Sequence, residues 1–144
     1  MHTVEQLLDS KGHRIVTLRP EASVLEATEL MNEHHIGSVL VMREEDLVGI
    51  FTERDLLRRV VAAQRNPART PLAEVMTSPV ACAGPDTTLN EIRDAMRRQR
   101  IRHMPVLDAE GRIIGVVSIG DLNRVEHEVH EQTIQYLERY MYCP

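Results

Sequence analysis

Aromatic side chains are nearly missing from this chain: Trp is absent, Phe occurs once and Tyr three times in 144 residues. A core must therefore be built from Val, Ile, Leu, Met and Ala. The same scarcity argues against single-stranded nucleic acid as a partner, because such binding uses stacked aromatic platforms. Surplus positive charge is lacking too. The 17 Lys and Arg stand against 22 Asp and Glu, a net charge of −5, so the chain as a whole is not steered toward polyanions, despite a local cluster at Arg97, Arg98, Arg100 and Arg102. Two cysteines, Cys82 and Cys143, make no disulfide framework. No apolar run approaches the roughly 18 residues of a membrane span. The opening residues 1–6 have neither the basic head nor the apolar centre of a signal peptide. These absences predict a cytoplasmic protein with no membrane and no nucleic-acid partner.

Catalytic signatures are absent as well. There is no Gly-x-Ser-x-Gly elbow, no phosphate loop ending in Gly-Lys-Ser/Thr and no informative Cys–His pair. The expectation is a protein that is not an enzyme.

What the chain does contain is a repeat, at an offset of 65 residues. Pro20-Glu21-Ala22-Ser23-Val24-Leu25-Glu26 lies over Pro85-Asp86-Thr87-Thr88-Leu89-Asn90-Glu91. Met31 then falls on Met96, Ile36 on Ile101 and Val41 on Val106. One extra residue near Gly111 shifts the register, after which Gly49–Asp55 lies over Gly115–Asp121.

Each half reads as a βαββα unit, which makes the fold class α/β (α+β). Ser23 with Glu26 and Thr88 with Glu91 have the spacing of capping boxes. The helices they open run to about His34 and Gln99, with apolar residues at 24, 27, 30 and 31 and again at 89, 92, 95 and 96. Hairpins follow: residues 38–42 with 47–51, and 104–107 with 113–117. Thr52 and Ser118 then open a further helix in each half. The expected division is a first unit over 1–63, a linker over 64–70, a second unit over 71–125 and a helical extension over 126–144. Thr70-Pro71 is expected to cap a short helix reaching Met76. The tail has no Gly or Pro from Asp121 to Cys143, and Leu122, Val125, Val129, Tyr136, Leu137 and Tyr140 mark a helical stripe.

The segments Gly49–Asp55 and Gly115–Asp121 carry the chemistry. Thr52 and Ser118 suit helix N-caps, with Asp55 and Asp121 in the first turn, and capping alone would account for either segment. A strand-to-helix junction also exposes backbone N–H groups, a natural seat for phosphate. A carboxylate there can accept both hydroxyls of a ribose, and the Ser or Thr hydroxyl can donate to a phosphate. Gly49 and Gly115 remove a side chain beneath the place where a flat base could approach.

With Ile101-Arg102-His103-Met104-Pro105-Val106 added, these segments resemble a tandem pair of CBS domains, a Bateman module, over roughly residues 5–125. The resemblance implies two units packed through their sheets about a pseudo-twofold axis, with two clefts between them. It implies a regulatory module for an adenosine-containing ligand: AMP, ADP, ATP, NAD or S-adenosylmethionine. Carried over by motif, Asp55 and Asp121 would hold the riboses. Thr52 and Ser118 would help hold phosphates, with Arg54, Arg102 and His103 as the phosphate cations. Ile15, Val16 and Val80 would flank the adenine, with Lys11 and Thr77 as further candidates. The family habit of pairing through helices predicts a homodimer, and the regulatory role a partner protein. Arg54 has Gly120 as its counterpart, and Arg102 and His103 have Gly37 and Ser38, so the two clefts are expected to be unequal.

Other signals are set aside. In His127-Glu128-Val129-His130 the histidines are three apart, not the four of the helical zinc motif, so no metal site is expected. His34-His35 closes a helix, where positive charge suits the dipole. Two competing readings remain: a ligand-free interaction module, in which the aspartates only cap helices, and an enzyme acting on nucleotides.

Overall fold

The computed structural model describes residues 2–129. The expected helix beyond Val129, with His130, Tyr136, Leu137, Tyr140 and Cys143, lies outside the described residues. The elements run α1 (Val4–Lys11), β1 (Thr17–Leu18), α2 (Val24–His34), β2 (Ser38–Arg43), β3 (Asp46–Thr52) and α3 (Glu53–Asp55), which continues as π-helical turns over Leu56–Val61. After the linker come α4 (Leu72–Val75), α5 (Leu89–Gln99), β4 (His103–Leu107), β5 (Ile113–Ser118) and α6 (Ile119–Val129).

The duplication is visible in the backbone. β1, β2 and β3 form one sheet in that order, with β1 parallel to β2 and β2 antiparallel to β3. β4 pairs antiparallel with β5, and the strand matching β1 is reduced to a single parallel bridge between Ala83 and Val106. Both hairpins are irregular at the same place, between Val41 and Met42 and between Val106 and Leu107. Both α2 and α5 end on a left-handed residue, His35 and Arg100. The result is a mixed α/β fold of two small sheets with helices, the class expected from the sequence. Thr88 and Glu91 form a reciprocal capping box, whereas Ser23 caps through its hydroxyl alone and its backbone pairs with Pro71.

Each half has its own core, and each core is completed by a helix from the other half's side of the sequence. Val24, Ala27, Val39, Val41 and Phe51 pack with Leu72 and Val75 of α4. Ile92, Met96, Val106, Val117 and Leu122 pack with Val4, Leu7 and Leu8 of α1. α1, from the start of the first unit, thus packs in the second core, and α4, from the start of the second unit, packs in the first. Backbone bonds lock the exchange. Val4 N–H donates to Thr87 O and Leu89 N–H to His2 O; equivalently, Val24 N–H donates to Thr70 O and Leu72 N–H to Ala22 O. Thr70 is occupied by this pairing, with its hydroxyl turned to Asn66 O, so Pro71 and not Thr70 is the N-cap of α4. Among the described residues no helix is long and apolar enough to cross a membrane.

Gly49 and Gly115 have a different role from the one expected. A Cβ on Gly115 would stand 2.6 Å from Leu8 Cδ2, and one on Gly49 would collide with the Met76 thioether. The glycines are notches for the exchanged segments, and the space beneath them is filled by protein instead of a base. Gly115→Ala is therefore expected to destabilise the fold by about 1–3 kcal/mol through overpacking, and Leu8→Ala by about 2–5 kcal/mol through a cavity. Urea unfolding of the double variant should show less than the sum, because the two changes relieve each other.

Candidate functional site

Asp121 sits in the first turn of α6 because Ser118 caps that helix. Asp121 N–H donates to Ser118 Oγ at 3.1 Å, and Ser118 N–H returns a bond to Asp121 Oδ2 at 2.9 Å. This box points the carboxylate into a cleft of ≈ 360 Å³ between the two halves, within the range of small-molecule pockets. One wall is first-half backbone, His35 to Ser38, with Val16 and Leu40; the other holds His103, Val116, Ser118 and Gly120. Three cations also face the cleft: Lys11, Arg14 and Arg124. Asp121 is the one acid in its lining among the described residues.

The cations are already engaged. Lys11 Nζ donates to Asp121 Oδ2 and to Val116 O, each at 2.6 Å. Arg124 donates to Asp121 Oδ1 at 2.9 Å and Arg14 to His34 O at 3.2 Å. Burial opposes ionisation of Asp121, but the Lys11 ammonium and the Ser118 amide outweigh it and hold the carboxyl below its ordinary value. His103 is shifted the same way for another reason: burial disfavours imidazolium, only partly offset by the charges of Glu53 and Asp121.

Asp55 has the same backbone setting and a closed environment. Thr52 caps α3 and shares a reciprocal box with Asp55. Thr77 Oγ1 donates to both carboxylate oxygens at 3.0 and 3.2 Å, and Arg59 Nε lies 3.7 Å away. Asp55 is 5% exposed. Its partners are short or pinned: Thr77 is paired edge-on with Ile50, and Arg59 also donates to Met76 O at 2.8 Å.

The structure thus brings Lys11, Val16, His103, Ser118 and Asp121 together, and sets Thr52, Thr77 and Asp55 in a second, plugged cluster. Four of the expected residues stand elsewhere. Arg54 does not converge with His103, because its guanidinium is held by Arg100 O at 2.7 Å, at the end of α5. Arg102 is exposed and outside the Asp121 cleft, and Ile15 is 39% exposed with only Val16 in the wall. Val80 likewise lies outside that cleft. The residues the sequence reading missed are Arg14, Arg124 and His35. Arg124 was legible as an (i, i+3) partner of Asp121. His35 was set aside as a helix end, yet the left-handed turn at that end lines the cleft.

Residues 6–62 and 72–128 each match the CBS domain. The chain belongs to the CBS-domain family. Tandem CBS domains are generally regulatory and often bind nucleotides. A crystal structure of the CBS-domain protein NE2398 superposes with a TM-score of 0.82 at 40% identity, covering 86% of this chain and 96% of the other. The CBS domain-containing protein YhcV of Bacillus subtilis is 30% identical over 83% of this chain and 86% of its own length. The chain spans 58% of the length of the uncharacterised protein MK0525 of Methanopyrus kandleri, which is 36% identical over 78% of this chain.

Both lowered pKa values make stability fall with acid, in separate windows. Folded His103 stays neutral where the unfolded chain takes up a proton, so its contribution is full above about pH 6.5 and lost as pH falls below that. The Asp121 contribution is full above about pH 4 and lost as pH falls further. Melting curves against pH should show His103→Gln flattening the first decline and Asp121→Asn the second.

Proposed function

We propose that this CBS-domain pair is a non-catalytic regulatory module that binds one adenine nucleotide (AMP, ADP, ATP or NAD) per chain in the Asp121 cleft. The observation that carries this reading is the composition of that cleft. A capped helix N-terminus, one carboxylate and three cations face a hollow with an apolar side at Val16, Leu40 and Val116. Each ligand part has a matching chemistry. The ribose hydroxyls donate to Asp121. Phosphate accepts from the Ser118 hydroxyl and from Lys11, Arg14 and Arg124. The base lies against Val16, Leu40 and Val116. In the first half Asp55 serves the fold, as the partner of Thr52 and Thr77.

A ligand seated there touches both halves, so it favours the arrangement in which both walls reach it. That shift is the signal offered to a partner protein. Pairing of two copies belongs to the same proposal, supported by Leu57 and Val61, four residues apart on the π-helical turns and 62% and 59% exposed.

Calorimetry with each nucleotide on protein stripped of bound small molecules is expected to give one site per chain. Saturation at 100-fold over Kd should add about 2.7 kcal/mol to stability in a melt. Asp121→Asn should weaken binding about tenfold or more, while Asp55→Ala, once shown to be folded, should leave affinity within about twofold. Absence of heat and of stabilisation with every nucleotide would leave the ligand-free interaction module as the function, and turnover of the nucleotide would make the protein an enzyme.

A further inference from the structure

The acid that the ribose needs is already taken. Asp121 is 6% exposed and its two oxygens are held by Lys11, Arg124 and the Ser118 amide. Lys11 is the shortest of these contacts, at 2.6 Å, and comes from the other end of the sequence, from the last residue of α1. Its root is fixed, because Leu7 and Leu8 of the same helix are buried in the second core. Its ammonium sits on a flexible four-carbon stem at the wall of the cleft, with the side chain 25% exposed.

From this arrangement we propose that Lys11 is a built-in counter-ion that makes the cleft selective for nucleotides over nucleosides; the proposal rests on the nucleotide reading above. A nucleoside that takes Asp121 displaces the ammonium and brings no charge to receive it. Lys11 is then left in a cleft that already holds Arg14 and Arg124, and separating one partner of a largely buried pair is costly. A nucleotide brings its own acceptor. Lys11 swings from carboxylate to phosphate, keeps the Val116 carbonyl within reach and remains paired throughout. Selectivity arises from the penalty on the wrong ligand as much as from attraction to the right one. Asp55 is instead bonded by Thr77, a neutral donor, which offers no such exchange.

The test is calorimetry of AMP and adenosine on wild type, Lys11→Met and Lys11→Arg, each checked for folding by a melt. Wild type should prefer AMP by about thirtyfold or more, and Lys11→Met should cut that preference about tenfold, with adenosine binding tighter than in wild type. Lys11→Arg should keep the preference. If Lys11→Met fails to fold, Lys11→Gln gives the same comparison. A preference that is unchanged in the variant, or equal weakening of both ligands, overturns the role of Lys11 and leaves the nucleotide site standing. Binding of neither AMP nor adenosine by wild type overturns both together.

Discussion

The structure depends on a crossed anchoring of two short helices. α1 completes the second core and α4 the first, each seated where a glycine leaves a notch in the facing strand, Gly115 for Leu8 and Gly49 for Met76. Because the notches admit no Cβ, Leu8 and Met76 set the depth of each helix against its sheet. Everything downstream of that contact inherits the precision. The residues that leave the two helices, Lys11 and Thr77, arrive directly beside Asp121 and Asp55. The position of each aspartate is in turn set by a hydroxyl cap at the strand end.

On this shared scaffold, the different neighbours of the two aspartates make one half open and the other shut. Thr77 is short and neutral, tied by backbone bonds to Ile50, and satisfies Asp55 without leaving room. Lys11 is long, charged and rooted at a helix end, and satisfies Asp121 from across a hollow. The guanidinium neighbours differ in the same sense. Arg59 donates to the carbonyls that end α4, whereas Arg124 donates to Asp121. A duplicated frame has thus been given unequal electrostatics by side chains alone, one half consolidating the fold and the other presenting charge.

Much of this was legible in the sequence. The repeat, the helix spans, the hairpins and the caps at Thr52 and Ser118 follow from period, punctuation and capping chemistry, which are local. Lys11 and Thr77 were singled out as secondary candidates and proved to be the direct partners of the two acids. The readings that failed were those requiring knowledge of what fills space. Gly49 and Gly115 looked like clearances for a base because nothing local announces that Met76 or Leu8 will occupy them. Arg54 looked free to meet a phosphate because its acceptor, Arg100 O, is a backbone atom distant in the chain. The origin of α1 in the opposite core was invisible for the same reason, since an eight-residue amphipathic stretch does not state its destination.

The crossed helices also bear on how such a pair could arise. One repeat alone would carry a plug that does not fit its own half, with an unfilled notch beside it. Two separate copies would complete each other only by trading plugs, an association governed by dilution. Joining the copies end to end turns that trade into an intramolecular closure with a high effective concentration. After fusion each plug is confined to one destination, and either half is free to change its charges without first finding a mate that has changed in step.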